Sequence, residues 1–134
     1  MTPDAASWVP TAPDLHVIPA GRHWDAIQVH AFDGAVVQCG YRAPVIHDRE
    51  HMTVTWLVPL GAATGWQLPS VARLLVAGQP VRVPPAPWTL PPESPPVVYW
   101  TSAPGNGIVH NVDGLRDVLA RMARLFPTVG WDEP

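Results

Sequence analysis

The clearest alternation of apolar and polar positions runs over residues 24–30, with Trp24, Ala26, Gln28 and His30 on one side and Asp25, Ile27 and Val29 on the other. A period of two sends successive side chains to opposite faces of an extended chain, so this segment predicts a β-strand. Its Trp–Ala–Gln–His side is not cleanly apolar. Upstream, residues 15–19 predict a short strand that ends in a turn at Ala20, Gly21 and Arg22. Residues 1–13 hold three prolines and several small residues, and predict an extended arm that is ordered only where Trp8 and Val9 dock.

Over residues 32–41 the spacing of Phe32, Val36, Val37 and Cys39 fits a short helix or a strand, with Gly34 and Gly40 weakening both; we take the helix. Residues 44–59 place β-branched runs on either side of a polar centre at 47–51, which predicts a β-hairpin. After a loop, residues 71–77 and 81–83 predict two strands of a second hairpin about a Gly78-Gln79-Pro80 turn. Seven of the residues 84–96 are proline; lacking donors for a sheet, they predict a surface loop of extended chain. Residues 97–101 resume as a strand.

Beyond a turn, Val112, Leu115, Val118, Leu119, Met122 and Leu125 recur at helical spacing. Asn111 or Asp113 serves as the cap, and the helix stops before Pro127. Arg116, Arg121 and Arg124 lie off the apolar stripe. The expected fold class is therefore α+β: a mainly antiparallel sheet of about six strands, with a short helix, and the C-terminal helix packed on one face. Residues 14–134 form one compact domain after the arm.

The composition narrows the class. Apolar residues make up 47% and charged residues 14%, which suits a folded chain rather than a disordered one. All eight basic residues are Arg, and against eleven acidic residues they leave a net charge of -3, so there is no bulk field for nucleic acid or anionic lipid. One cysteine, Cys39, excludes an internal disulfide and a thiolate metal site. The N-terminus lacks a secretory signal and no apolar run is long enough to span a membrane, so a cytoplasmic location is expected.

The densest polar cluster is His47-Asp48-Arg49-Glu50-His51. Two imidazoles and two carboxylates this close can converge on an ion across a hairpin. Hairpin tips also collect solvated charge, and we expect neither metal nor cofactor. His23 and Asp25 lie near each other in sequence but are not placed to orient one another, and His110 sits where capping or packing is the commoner role. No GxSxG, Walker, HExxH or CxxC motif is present. Arg73 and Arg82, with Trp88 beyond, are candidates for ligand binding, since aromatic and Arg side chains on a sheet can stack bases and hold phosphates. Most of the seven tryptophans are expected to fill the core.

The series GRHWDAIQV, TWLVPLGAATGW, ARLLVAGQPVRVPPAPW, VVYW and VDGLRDVLARM resembles short proteins of high-GC bacteria. These are similar to the C-terminal half of the N-terminal domain of bifunctional DNA primase/polymerases, of the archaeo-eukaryotic primase superfamily. The resemblance covers roughly residues 18–125 and is best at Gly78 and Val81-Arg82-Val83-Pro84-Pro85. It implies an acidic pair for metal ions and a His toward the nucleotide phosphates. Thr53 stands where that His is expected, and Asp48 and Glu50 fall too close to that strand to be the pair. Without those carboxylates a sheet keeps its shape but not two-metal catalysis.

Three functions follow as expectations. The first is a non-catalytic binding or regulatory module on a degenerate primase/polymerase-like fold, contacting a protein or small molecule, with the proline-rich loop as a contact surface. The second is a small enzyme with a site around His47, Asp48, Glu50 and His51. The third is a weak nucleotide or single-stranded nucleic-acid binder using Arg73, Arg82 and Trp88.

Overall fold

The computed structural model describes residues 9–10, 15–30, 43–63, 72–75, 78–85, 88, 97–101, 108–109 and 111–125, with backbone alone for 122–125. The short helix expected over 32–41, Cys39, Trp66 and His110 lie outside them.

The alternation at residues 24–30 becomes β2 (Asp25–His30), and the hairpin expected over 44–59 becomes β3 (Ile46–Asp48) and β4 (Thr53–Val58). With β5 (Ala72–Leu75) and β7 (Val98–Trp100) they form a five-stranded antiparallel sheet in the order β5-β2-β4-β3-β7. A separate two-stranded ribbon pairs β1 (His16–Pro19) with β6 (Pro80–Val83). The described residues thus hold seven strands in two sheets, rather than six in one.

The second hairpin expected between residues 71–77 and 81–83 does not form. Strand β5 pairs with β2, and β6 pairs with β1. At the intervening turn Gly78 adopts φ +90°, which favours glycine, and its N–H donates to the Ala20 carbonyl at 2.8 Å. The Ala20 N–H answers by donating to the Gln79 carbonyl, also at 2.8 Å. The turn chemistry therefore extends the β1–β6 ribbon instead of folding β6 back on β5. Pro19 and Pro80, which cannot donate, face each other at the end of this ribbon.

Every residue of β4 is buried, because both faces of the larger sheet are covered. One face carries Ile27, Val29, Val54, Trp56 and Val58 against Leu115 and Leu119 of the C-terminal helix α1 (Val112–Leu125). The other carries Ala26, Ile46, Leu57, Leu75, Val98 and Trp100 against Ile18, Val81 and Val83 of the ribbon. Helix, sheet and ribbon make three layers. The helix begins as expected at Asn111, whose Oδ1 accepts the Gly114 N–H at 3.0 Å. A Cβ at Gly114 would come within 2.5 Å of the Asn111 amide, so the cap and the glycine are one device. No described helix is long and apolar enough to cross a membrane.

Candidate functional site

On the ribbon-facing side of the sheet, polarity changes along the strands. Ala26, Leu57 and Leu75 share one level and are apolar; at the next level stand Arg73, Gln28, Thr55 and Ile46. One further step brings Thr53 opposite Asp48. The ribbon packs on the apolar part and roofs the polar part, leaving a cavity of about 570 Å³. That volume lies within the roughly 300–1,000 Å³ of small-molecule sites. Val17, Pro80, Val81 and Arg82 line it from the ribbon side.

The polar row is hydrogen-bonded across three strands. Nε and Nη2 of Arg73 both donate to the Gln28 Oε1, at 3.2 and 2.8 Å, and the Gln28 Nε2 donates to the Thr55 Oγ1 at 3.0 Å. An amide oxygen used by Arg leaves the amide nitrogen toward the hydroxyl, so the Gln28 orientation is fixed by its neighbours.

A second cluster closes the cavity at the β3–β4 turn. Asp48 is buried, and its Oδ1 accepts the His51 backbone N–H at 3.0 Å while its Oδ2 lies 2.9 Å from the His51 Nδ1. This side-chain bond to the backbone holds the tight loop in which Met52 takes a left-handed φ of 56°. A carboxylate at that distance accepts an Nδ1–H, and in the neutral ring Nε2 is then the acceptor, the arrangement of a carboxylate-oriented imidazole. From the ribbon, Arg82 brings Nε to 3.5 Å from the Asp48 Oδ2 and Nη1 to 2.5 Å from the Glu50 Oε1. Its Nη1 is also 3.2 Å from the His51 Nδ1; since that nitrogen donates to Asp48, this is a contact rather than a second bond.

Of the cluster expected to act together, Asp48, Glu50 and His51 are brought together, with ligand-capable atoms all within 4.8 Å of one another. The Arg82 guanidinium already meets both carboxylates, supplying the positive charge that a metal would bring. His47 does not join them. Neighbours on a strand point to opposite faces, and His47 lies beside Tyr99, its partner in β7, with Nδ1 3.0 Å from the tyrosine hydroxyl. His47 and His51 therefore do not converge on one ion. Arg73 and Arg82 reach one cavity although they stand in different sheets; Trp88 is not among its lining residues and is tied by its backbone to Pro85 and Trp100. Gln28, Thr53 and Thr55 were not foreseen in the site. The uneven face of β2 was the available signal, because it put Gln28 beside Ala26 and Trp24.

His47, Arg49, Met52 and Tyr99 line a more open hollow outside the cavity. Burial, reinforced by the positive charge of Arg49, holds the His47 imidazole below its ordinary pKa of 6.5, with Asp48 opposing. Burial likewise raises the Tyr99 hydroxyl, against Arg49. A lowered native pKa means that the unfolded chain binds more protons between the two values, so stability rises with pH there. The His47 contribution is present above pH 6.5 and is lost as pH falls toward the lowered native value. Denaturant titrations should show stability falling on acidification below pH 6.5, with a shallower fall in His47→Gln. An unchanged slope in that variant would remove His47 as the source.

Fold and site together define an α+β domain in which a two-stranded ribbon roofs the polar end of a five-stranded sheet. No family model, no curated protein and no solved structure matches the chain.

Proposed function

We propose that this chain is a non-catalytic binding module for a small molecule, on a degenerate primase/polymerase-like fold, with the inter-sheet cavity as its site. The observation that carries this reading is the convergence of polar side chains from the two sheets on one ligand-sized space. Gln28, Thr55 and Arg73 form a prearranged row of donors and acceptors, and Ile46, Leu75 and Val81 supply apolar surface beside it. A few convergent polar groups in a largely apolar recess are the usual composition of a small-ligand site. Asp48 and Glu50 are engaged by Arg82, which supports binding over metal-assisted phosphoryl chemistry.

A second reading, a small enzyme, has one observation in its favour: the Asp48–His51 pair, which leaves the Nε2 of His51 able to accept a proton. The nucleic-acid reading has less support, since Arg73 and Arg82 line a recess and Trp88 is not among its lining residues.

The test is a nuclear magnetic resonance screen of small polar molecules against the ¹⁵N-labelled chain, with primer extension in magnesium and manganese run alongside. Binders should shift Gln28, Thr55, Arg73 and Val81 together. Binders that perturb only residues outside this set, or template-dependent incorporation abolished by Asp48→Asn, would overturn the reading.

A further inference from the structure

We propose that the cavity takes a small-molecule carboxylate on Arg82, and that Glu50 is the tethered stand-in which occupies that guanidinium until the ligand arrives. The inference rests on the binding-module reading and specifies its ligand class.

Arg82 is the one residue, among those described, that lines both the inter-sheet cavity and the open hollow outside it. It forms the wall between them. Two carboxylates hold it, and they differ in kind. The Asp48 side chain is 10% exposed and committed to the hairpin turn through the His51 N–H and imidazole, so it cannot leave without undoing the loop. The Glu50 side chain is 62% exposed, extends from the loop itself, and meets Arg82 through Nη1 alone in the outer hollow. An ion pair of that exposure contributes little and exchanges readily. A planar guanidinium pairs best with a carboxylate in a two-pronged contact, which the single Nη1–Oε1 bond does not use.

On the inner side, Arg73 and Arg82 are the cationic side chains that line the cavity, which suits an anionic head on the ligand. The rest of the ligand is neutral: Ile46, Leu75 and Val81 offer it an apolar face, and Thr55 with Gln28 offers one polar anchor.

The experiment uses benzoate as the carboxylate, benzamide as its neutral counterpart and inorganic phosphate as a different anion, each titrated by nuclear magnetic resonance. The proteins are the full wild-type chain, Glu50→Gln, Arg82→Gln, Arg82→Lys and Glu50→Gln/Arg82→Gln. Asp117→Asn, on the exposed side of α1, measures the effect of losing any one negative charge. Benzoate should bind Glu50→Gln about tenfold more tightly than wild type, binding should be lost in both Arg82→Gln proteins, and Arg82→Lys should recover only part of it, because lysine restores charge without the fork. Benzamide and Asp117→Asn should show no such gain.

Equal benzoate affinity in wild type and Glu50→Gln, or binding that survives in the Glu50→Gln/Arg82→Gln protein, would overturn the proposal. So would an equal gain for phosphate, which would mean that the site selects charge alone. Benzamide shifting Gln28 and Thr55 while benzoate gains nothing would remove the carboxylate and leave the binding-module reading standing. Loss of every shift at those residues would remove both.

Discussion

Replacing Trp100 with alanine should destabilise the chain by about 3–5 kcal/mol, the range for buried Trp and Phe truncations. Trp100 is fully buried where the sheet meets the ribbon, among Ile46, Val83 and Val98. Its indole Nε1 donates to the Pro84 carbonyl at 2.9 Å, and its backbone N–H donates to the Trp88 carbonyl at 2.7 Å. The backbone bond survives truncation; the packing and the indole bond do not. Removing the donor also strands a carbonyl, which by itself costs about 1–3 kcal/mol when buried. Trp100→Phe should therefore lie between wild type and Trp100→Ala. With seven tryptophans in the chain, far-ultraviolet circular dichroism in a denaturant titration is the cleaner readout than fluorescence. A loss below about 1 kcal/mol would contradict the placement of this indole between the layers.

Leu119→Ala should cost about 2–5 kcal/mol, since the residue is fully buried and its removal opens a cavity between α1 and the sheet. Leu115 lies one turn earlier in the same cluster, and the two present a single ridge to Val54, Trp56 and Val58. The double variant should depart from the sum of the single ones, because the residues share neighbours. Asp117→Asn on the opposite, exposed face should change stability by no more than about 0.5 kcal/mol. A Leu119→Ala loss under about 0.5 kcal/mol would make the helix peripheral to the fold.

Elements whose pairing is local were readable from the residues. The alternation of 24–30, the hairpin about 47–51 and the apolar stripe from Val112 are each decided within a few positions. The division into two sheets was not. Gly78, Gln79 and Pro80 carry turn chemistry that suits a hairpin between β5 and β6, and only the distant partners β2 and β1 show which edge each strand takes. The site divides in the same way. Asp48 and His51 are close in sequence and meet in the turn, and Arg82 was a candidate, but its contact with them depends on the ribbon. Gln28, Thr53 and Thr55 are polar strand residues of the kind that ordinarily face water. The roof over them makes them part of a recess. Sequence distance groups His47 with its neighbours, whereas strand parity sets it on the opposite face from Asp48.

The pairing of His16 with Val83 in that roof also bears on how the chain acquires its site. Strands β2, β3, β4 and β5 all lie between the two halves of the ribbon, so closing it encloses four of the five strands of the larger sheet within one loop. Non-local closures of this kind carry an entropic cost before their contacts form, and they tend to come late on the folding path. A β3–β4 hairpin assembled with β2 would already present Gln28, Thr55 and Asp48, yet it would lack Arg82 and the enclosing surface. On the proposed binding role, recognition is coupled to completion of the fold: a chain that has not closed the ribbon has no cavity to offer, and a ligand that binds only the closed form draws the population toward the finished state.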